Sequence, residues 1–278
     1  MTLSMPHIAL AALLMMTTAA GSQELPDRIK TAKTIVVANV PNYPPMEFKD
    51  PKTATLTGLD IDLGNELAKK LGVTFKWEEI AFEQMIPSLQ TGRADIILSG
   101  MSDLPARRET LDFVNYLKSG AQFYTAIDSK DAFKTPADLC GKTVGASRRT
   151  SFPSEMEKWS KTACEAAGKP PLKIVGTEGS ADARTQLKQK RLDAAVQGSE
   201  TLPYLLQLEP NTYVIVGEPF TEVLQSIAFP KKETALRDAV AKAFKAMIED
   251  GSYKAVLAKW QLESNAVASP SINGEPVK

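Results

Sequence analysis

The sequence predicts an α/β protein of two similar units, each with a mostly parallel sheet flanked by helices. Short apolar runs rich in β-branched residues alternate with amphipathic stretches at helical spacing through most of the 278 residues. This rhythm is typical of parallel, doubly wound sheets. It begins again after Tyr116, and the chain is long enough for two units with real cores. We therefore expect the two units to form the lobes of one clamp.

The first unit has a β-α-β-α-β order. Its predicted elements are the strand IVVANV, the helix LDIDLGNELAKKLG, the strand TFKWEEI, the helix FEQMIPSLQTG and the strand ADIILS. Leucines at every fourth position from Leu59 to Leu71 form one face of the first helix, and Gly72 marks its end. Pro87 in the second helix predicts a kink or a late start.

The second unit continues the alternation. Its predicted strands are FYTAI, KTVGAS, LKIV, LDAAV, TYVIV and QSIAFP. Its predicted helices are SEMEKWSKTACEAAG, ADARTQLKQK, TLPYLLQL, ETALRDAVAKAFKAMIEDG and SYKAVLAKW. The ending ASPSINGEPVK has no periodicity, so we expect a disordered tail over residues 266–278.

Residues 1–22 are interpreted as a cleaved secretory signal peptide. Residues 8–16 are apolar throughout, yet this run is shorter than the ~20 residues that span a bilayer. The small residues Thr18, Ala19 and Ala20 suit a signal peptidase, although no Lys or Arg precedes the apolar run. We expect an exported, soluble mature protein. The formal net charge of +0 favours neither nucleic-acid binding nor a polybasic membrane contact.

Two cysteines, Cys140 and Cys164, agree with export. In an oxidising compartment they would close a loop of roughly 25 residues, worth about 3 kcal/mol, and two free thiols are the alternative. A metal site is a poorer interpretation, because the only histidine, His7, leaves with the signal. We expect no metal and no cofactor.

One strand end carries the chemistry of an anion site. Ligands of open α/β sheets bind outside the carboxyl ends of the strands, here residues 39–46, 99–107, 146–152 and 197–202. Ser99, Gly100 and Ser102 offer hydroxyls and backbone amides near a helix start. Arg107 adds a planar guanidinium that fits a carboxylate in a bidentate pair. From these residues alone, either a carboxylate site or a plain turn with a solvated arginine fits the pattern.

Several motifs agree in order and spacing with one known family. They are GLDIDLGNELAKKLG, IPSLQTGRADIILSGMSDLPARRETLDF, LCGKTVGASRRTSF, RLDAAVQGSE and FPKKETALRDAVAKAFKAMIEDGSYKAVLAKW. Over residues 35–260 the chain resembles the periplasmic solute-binding proteins of polar amino-acid ABC transporters, the bacterial extracellular solute-binding protein family 3. The resemblance implies a type II periplasmic-binding-protein fold whose two lobes close on the ligand by hinge bending.

The resemblance also implies a division of the chain. The expected parts are the signal peptide at 1–22, lobe 1 from 23–121 plus 226–265, lobe 2 from 122–225, and the tail at 266–278. The two hinge strands are expected near residues 120–126 and 222–229. A monomer that docks on an ABC transporter permease in the inner membrane is implied, with no nucleic-acid partner.

Residue roles follow from the same resemblance. Arg107 would hold the ligand carboxylate with Ser99, Gly100 and Ser102. The rings of Tyr43 and Phe82 match positions that sandwich the ligand side chain. In the second lobe, Thr150 and Ser151 match two hydroxyl positions, and Arg149 replaces a glycine. Arg148 and Arg149 are either solvated charges or a positive potential that favours a second acidic group on the ligand. The context of Cys140 and Cys164 is similar to a branch in which they form a disulfide.

The main departure concerns the ligand's α-ammonium. Gly198 occupies the position of the acid that usually binds this group, and Val40 replaces another residue that is acidic in some relatives. A buried ammonium without a carboxylate partner costs several kcal/mol. Either Glu200 takes the role, or the ligand is a keto, dicarboxylic or N-substituted acid. We favour an amino acid or close derivative.

Solute binding and delivery to an ABC importer is the expected function. The alternative is a periplasmic lyase resembling cyclohexadienyl dehydratase, in which Glu200 or Glu178 would act as the acid while Arg107 holds the substrate. The sequence has no motif for a nucleophile–base pair, a metal cluster or a phosphate loop, which favours binding without catalysis.

Overall fold

The computed structural model describes residues 25–277, so the predicted signal peptide lies outside the described residues. The helices are α1 Asp27–Ala32, α2 Leu59–Leu71, α3 Phe82–Gln90, α4 Pro105–Arg108, α5 Phe152–Trp159, α6 Ser180–Lys188, α7 Leu202–Leu208, α8 Thr234–Glu249 and α9 Ser252–Trp260. The strands are β1 Thr34–Asn39, β2 Asn42–Tyr43, β3 Glu47–Lys49, β4 Leu56–Thr57, β5 Thr74–Glu79, β6 Ile96–Ser102, β7 Leu111–Ser119, β8 Ala121–Ala126, β9 Thr143–Ser147, β10 Lys173–Thr177, β11 Ala194–Gly198, β12 Tyr213–Val216, β13 Val223–Pro230, β14 Ala266–Ile272 and β15 Glu275–Pro276.

Two sheets define two lobes. The first lobe holds a seven-stranded sheet of order β15-β14-β7-β13-β6-β1-β5, in which β1, β5 and β6 are parallel. The second lobe holds a five-stranded sheet of order β10-β9-β11-β8-β12, in which β9, β10 and β11 are parallel. A small sheet of β2, β3 and β4 lies in the first part of the chain. The predicted two-lobed α/β fold is confirmed.

The chain passes between the two sheets twice. It leaves the first sheet after β7 and enters the second as β8, with Gly120 between them, and it returns through residues 217–222 to β13. The two passages touch, because a Cβ on Gly120 would lie 2.0 Å from the carbonyl oxygen of Thr221. Only glycine fits there. The sequence placed the hinge strands at nearly these positions, while the exact lobe boundaries stay predictions.

The predicted apolar face of α2 is buried. Leu59, Leu63 and Leu67 are fully buried in a core that also contains Phe244 of α8. The C-terminal helices α8 and α9 therefore complete the first lobe. Burial of this leucine face anchors the loop before α2, which carries residues of the cavity described below.

The expectation of a disordered tail is wrong. Residues 266–272 form β14, which pairs antiparallel with β7. Asn273 then accepts a hydrogen bond from the Phe113 amide at 2.9 Å and donates one to Asp112 at 3.0 Å. The tail is ordered because β7 offers an unpaired edge, and a partner distant in sequence leaves no local periodicity.

Two further local expectations need correction. The strand β7 was not predicted, although LDFVNYLKS is buried along most of its length. The helix predicted through SEMEKWSKTACEAAG is regular only to Trp159 and continues as a π turn at Ser160–Cys164. That turn carries Cys164 to Cys140, and the predicted disulfide between them is confirmed.

Candidate functional site

A cavity of about 250 Å³ lies between the two lobes. Its walls come from the carboxyl ends of strands in both sheets, as expected for open α/β sheets. The predicted site residues that line it are Tyr43, Phe82, Ser99, Gly100, Ser102, Arg107, Arg149, Thr150 and Ser151. Gly198 and Glu200 are not part of the lining and lie behind Tyr43.

Arg107 presents a positive charge to this cavity. Its Nη1 donates to the carbonyl oxygen of Ser102 at 2.8 Å, and its Cζ lies 5.8 Å from the centre of the Phe82 ring. Within residues 25–277 no carboxylate forms an ion pair with it. Burial lowers the pKa of Arg107, and the charge of Glu155 opposes that shift. The cavity therefore holds a desolvated cation whose charge is left for a ligand.

The neighbouring Arg108 is neutralised inside the protein. Its Nε and Nη2 donate to the two carboxylate oxygens of Asp103 at 2.5 and 3.0 Å. Asp103 also accepts from Asn115 at 2.8 Å, which fixes the carboxylate. The two adjacent arginines on α4 thus differ in whether they have an acidic partner. In the described chain Arg108 is paired with Asp103, whereas Arg107 has no carboxylate partner and its charge is left for a ligand.

Some donors expected to meet the ligand carboxylate are already used. The Gly100 amide donates to Asp60 Oδ2 at 2.9 Å, so the expectation of a bare amide at this position is wrong. Ser99 Oγ donates to Glu47 at 2.6 Å and accepts from the Val40 amide at 3.2 Å. The cause is a pair of buried acids, Glu47 and Asp60, beneath the turn. Ser102 lines the cavity, and its hydroxyl makes no hydrogen bond within the described residues. This hydroxyl can therefore donate to a ligand.

The two buried acids beneath the turn both have raised pKa values. Burial is the main cause that raises the pKa of Glu47 well above its usual range, and the charge of Asp60 adds to it. Burial also raises the pKa of Asp60 to about 6, although hydrogen bonds from Tyr116, Glu47 and Gly100 oppose this shift. A protonated Glu47 that donates to Asp60 satisfies both groups. These acids support the turn from behind, and sequence reasoning missed them.

The second lobe contributes a basic loop after β9. Arg149 forms an ion pair across the cleft with Glu83 at the start of α3. Arg148 pairs with Glu178 at 2.6 Å within its own lobe. The Thr150 hydroxyl donates to the Ser147 carbonyl at 2.8 Å, which leaves that hydroxyl an acceptor role toward the cavity. Both arginines are therefore balanced by acids, and they do not add net positive charge.

Glu200 occupies the space that a side chain at position 198 would fill. A Cβ on Gly198 would lie 2.2 and 2.5 Å from the two carboxylate oxygens of Glu200. Glu200 itself is 1% exposed. The carboxylate of Glu200 therefore lies where an acidic side chain at position 198 would begin. The short 3₁₀ turn Ser199–Thr201 brings it there from two residues further along the chain.

Donors from the first lobe surround the Glu200 carboxylate. Tyr43 donates to it at 3.1 Å, Gln225 Nε2 at 2.5 Å, and the Ser119 hydroxyl donates to its other oxygen. The Tyr43 hydroxyl in turn accepts the Gly198 amide at 3.0 Å. Burial raises the pKa of Glu200, and the bonds from Ser119, Tyr43 and Gln225 oppose that rise. The cluster links the two lobes through one buried carboxylate.

Neither a metal site nor a membrane span is found in the described part of the chain. Residues 25–277 contain no group of three or more His, Cys, Asp or Glu side chains placed to hold a metal ion. None of the helices in this range is long and apolar enough to cross a membrane.

A two-lobed α/β protein with a charged cavity between its lobes is the architecture of a solute-binding protein. The profile of the bacterial extracellular solute-binding proteins, family 3, matches residues 35–263. The chain belongs to this family.

Amino-acid-binding proteins of known bacteria are similar to this chain over most of its length. The arginine-binding protein ArgT of Corynebacterium glutamicum is 30% identical over 253 residues, covering 91% of this chain and 82% of that protein. The L-cystine-binding protein TcyJ of Escherichia coli K12 is 27% identical over 242 residues, covering 86% and 87%.

Solved structures show the same fold. A mutant of the arginine-binding protein ArgBP from T. maritima superposes with a TM-score of 0.75 at 30% identity, covering 84% of this chain and 98% of that one. The ancestral amino-acid-binding protein AncCDT-1, described as a precursor of cyclohexadienyl dehydratase, gives a TM-score of 0.72 at 32% identity, covering 84% and 98%.

Proposed function

We propose that this chain is an exported binding protein that captures an amino acid, or a closely related carboxylate, between its lobes and delivers it to an ABC importer. The observation that carries the proposal is Arg107, a desolvated guanidinium in the interlobe cavity without an acid partner in the described residues. A ligand carboxylate would neutralise it in a bidentate pair. Relatives named as arginine- and cystine-binding proteins support an amino-acid ligand.

The cavity suits a zwitterion better than a ligand with several negative charges. Arg148 and Arg149 are paired with Glu178 and Glu83, so they offer no spare positive charge. Arg107 is then the remaining positive charge, and the buried Glu47, Asp60 and Glu200 supply the acidic groups at and behind the cavity wall. An α-amino acid carries one group of each sign, which is the complement of this arrangement.

Binding without conversion is the second part of the proposal. A lyase on this scaffold needs an acid aimed into the cleft, and Glu200 and Glu178 were the candidates from the sequence. Glu200 is held by donors on both oxygens, and the largely exposed Glu178 is engaged by Arg148. Neither arrangement leaves a free proton donor against the ligand, which favours a binding role.

Calorimetry with purified, unfolded-and-refolded protein tests the function, because refolding removes any ligand carried from the cell. The panel is the twenty proteinogenic L-amino acids and L-cystine. We expect 1:1 binding of at least one of them, and mass spectrometry after overnight incubation should recover it unchanged. No binding to a folded protein, or the appearance of product, would contradict the proposal.

Export and partner belong to the same proposal. Residues 1–22 would direct the chain across the inner membrane to the periplasm, where the Cys140–Cys164 bond forms and a permease receives the ligand. We expect the mature protein from an expressing bacterium to start near residue 23 by mass spectrometry and to elute as a monomer. A chain that keeps residue 1 in the periplasmic fraction would contradict the signal assignment.

A further inference from the structure

We propose that the α-ammonium of the ligand binds to the side-chain carbonyl oxygens of Gln197 and Gln225, with Glu200 as the positioning residue behind them. This inference rests on the proposed function, because it takes an amino acid as the ligand. It assigns the ammonium to neutral acceptors, where a direct carboxylate contact was expected.

Two buried glutamines belong to the cavity wall, and the side-chain oxygen of each has no hydrogen-bond donor. Gln197 and Gln225 are each 3% exposed, and both belong to the cavity wall. Their Oε1 atoms are buried and have no hydrogen-bond partner among the described residues. A buried acceptor without a donor costs about 1–3 kcal/mol, so a ligand N–H at this place gains that amount.

The neighbours of each amide fix which of its two end atoms is the nitrogen and which is the oxygen. Thr201 donates its only hydroxyl proton to the Gly198 carbonyl at 2.7 Å, so it can only accept from Gln197, whose Nε2 lies 2.5 Å away. Glu200 Oε1 accepts from Tyr43 at 3.1 Å, and Gln225 Nε2 donates to the same oxygen at 2.5 Å. Turning either amide over would place two oxygens against each other.

Glu200 acts through Gln225 because Glu200 does not line the cavity and both of its oxygens already accept hydrogen bonds. Tyr43 and Gln225 donate to Oε1, and Ser119 donates to Oε2. The bond to the carboxylate polarises the Gln225 amide and increases the negative charge on its Oε1. The buried carboxylate also offsets part of the cost of bringing an ammonium into the cleft.

Another orphaned acceptor in the wall has a different explanation. Glu47 Oε2 is buried and has no hydrogen-bond partner among the described residues. Glu47 differs from the glutamines because it lies beside Asp60 and has a strongly raised pKa. A proton shared with Asp60 would satisfy this oxygen. The two glutamine oxygens have no such proton.

Ligand analogues test the inference on the wild-type protein. The probes are the tightest-binding L-amino acid of the panel and three acids with the same side chain, in which the α-ammonium is replaced by hydroxyl, by hydrogen or by a 2-oxo group. Two acceptors facing the ligand predict the affinity order ammonium, hydroxyl, hydrogen, 2-oxo, because only the first two bring donors. A 2-oxo acid that binds as tightly as the hydroxy acid would overturn the inference.

Substitutions locate the acceptors. We expect Gln197→Met and Gln225→Met each to reduce the preference for the amino acid over its deamino analogue at least tenfold, while affinity for the analogue changes less than threefold. Gln122→Met is the matched control: Gln122 is also buried, but it donates to Gly217 at 2.7 Å and does not line the cavity, so the preference should stay the same. Glu200→Gln should lower the preference through loss of charge.

The outcomes separate the two proposals. A folded wild-type protein that binds no acid of the panel overturns the proposed function and this inference with it. A wild-type protein that binds an amino acid, while both Met variants keep the wild-type preference, overturns only the inference. Thermal unfolding confirms that each variant is folded, and the analogue series decides the matter if one is not.

Discussion

Arg107 and Arg108 show how position separates two chemically identical side chains. Both lie on the short helix α4, yet Arg108 turns to Asp103 and Arg107 lines the cavity. A guanidinium satisfied by a bidentate carboxylate has little left to offer, whereas one held only by the Ser102 carbonyl keeps most of its donors. Ligand binding is assigned to Arg107 for this reason.

The buried acids Glu47 and Asp60 predict an unusual pH dependence of stability. Both have raised pKa values in the folded protein, that of Asp60 at about 6, so the folded state binds more protons than the unfolded state between pH ~4 and ~6. The free energy of unfolding should therefore fall as the pH rises through this window. Acids with lowered pKa values, such as Asp250 at about 2, act only below it.

Urea denaturation of the ligand-free protein at pH 4, 5 and 6 measures this effect. Asp60→Asn should reduce the slope of the profile, because one of the two titrating groups is gone. A wild-type profile that rises across the window would show that these acids are ionised in the folded protein, against the account given above.

We predict that position 198 must be glycine for the Glu200 side chain to keep its place. A Cβ at position 198 would lie 2.2 Å from Glu200 Oε1 and 2.4 Å from the Tyr43 hydroxyl, so Gly198→Ala must displace the carboxylate. We expect a loss of about 1–3 kcal/mol in stability and weaker amino-acid binding. In the Glu200→Ala background, which removes two of the three nearest atoms and lets the Tyr43 hydroxyl move into their place, the same substitution should cost less. Equal costs in the two backgrounds, measured by chemical denaturation, would refute the overlap.

At the scale of elements, the sequence predicted what local periodicity determines. The leucine face of α2, the parallel strands β1, β5 and β6, and the helix α8 follow from spacing within one segment. The edge strand β14 depends on a partner far away in the chain, and its pattern and those of the small sheet are short or irregular. Such pairings leave no signal in a single segment.

The tail gives a direct test of this long-range pairing. Truncation after Asn265 removes β14 and β15, exposes the edge of β7 and leaves the Phe113 amide without its partner. We expect a loss of about 2 kcal/mol or more and a lower midpoint of thermal unfolding. Truncation after Gly274, which removes the exposed strand β15 and keeps β14, is the control and should cost far less. Wild-type stability of the longer deletion would mean that the tail contributes nothing to the fold.

At the scale of the whole molecule, several contacts join the lobes across the cleft. Among them are the Glu200 cluster, the ion pair of Arg149 with Glu83, and the ring of Tyr204 against Phe48 at 5.8 Å and Trp260 at 6.4 Å. They lie inside the cleft, at its rim and on α7. Together they hold the lobes in the arrangement that forms the cavity.

We predict that these contacts contribute unequally to ligand affinity. The Arg149–Glu83 pair is solvent-exposed, with side chains 53% and 33% accessible, and such pairs contribute about 0–1 kcal/mol. Arg149→Ala should therefore change ligand affinity less than about fivefold. Calorimetry at low and high salt checks this, and a larger loss in Arg149→Ala than in the control Arg148→Ala would indicate a direct contact of Arg149 with the ligand.

Sequence reasoning reached the proposed carboxylate half of the site and missed most of the proposed ammonium half. Arg107 and Ser102 stand in one continuous motif, so their proximity was predictable. Gln225 and Ser119 reach Glu200 from strands that are far apart in the sequence. Gln197 did fall in a segment predicted to face the cleft, but nothing in a single sequence showed that its oxygen would be left without a donor.

The most direct test of the account is calorimetry of Arg107→Ala with the amino acid that the wild type binds most tightly, beside Arg108→Ala as the matched control. Removal of one partner from a desolvated charge pair costs about 2–5 kcal/mol, so we expect Arg107→Ala to lose at least about 100-fold in affinity. Arg108→Ala should stay within about threefold of the wild type, because that arginine serves Asp103. An Arg107→Ala protein that is folded and binds with wild-type affinity would contradict the central claim that this guanidinium holds the ligand carboxylate.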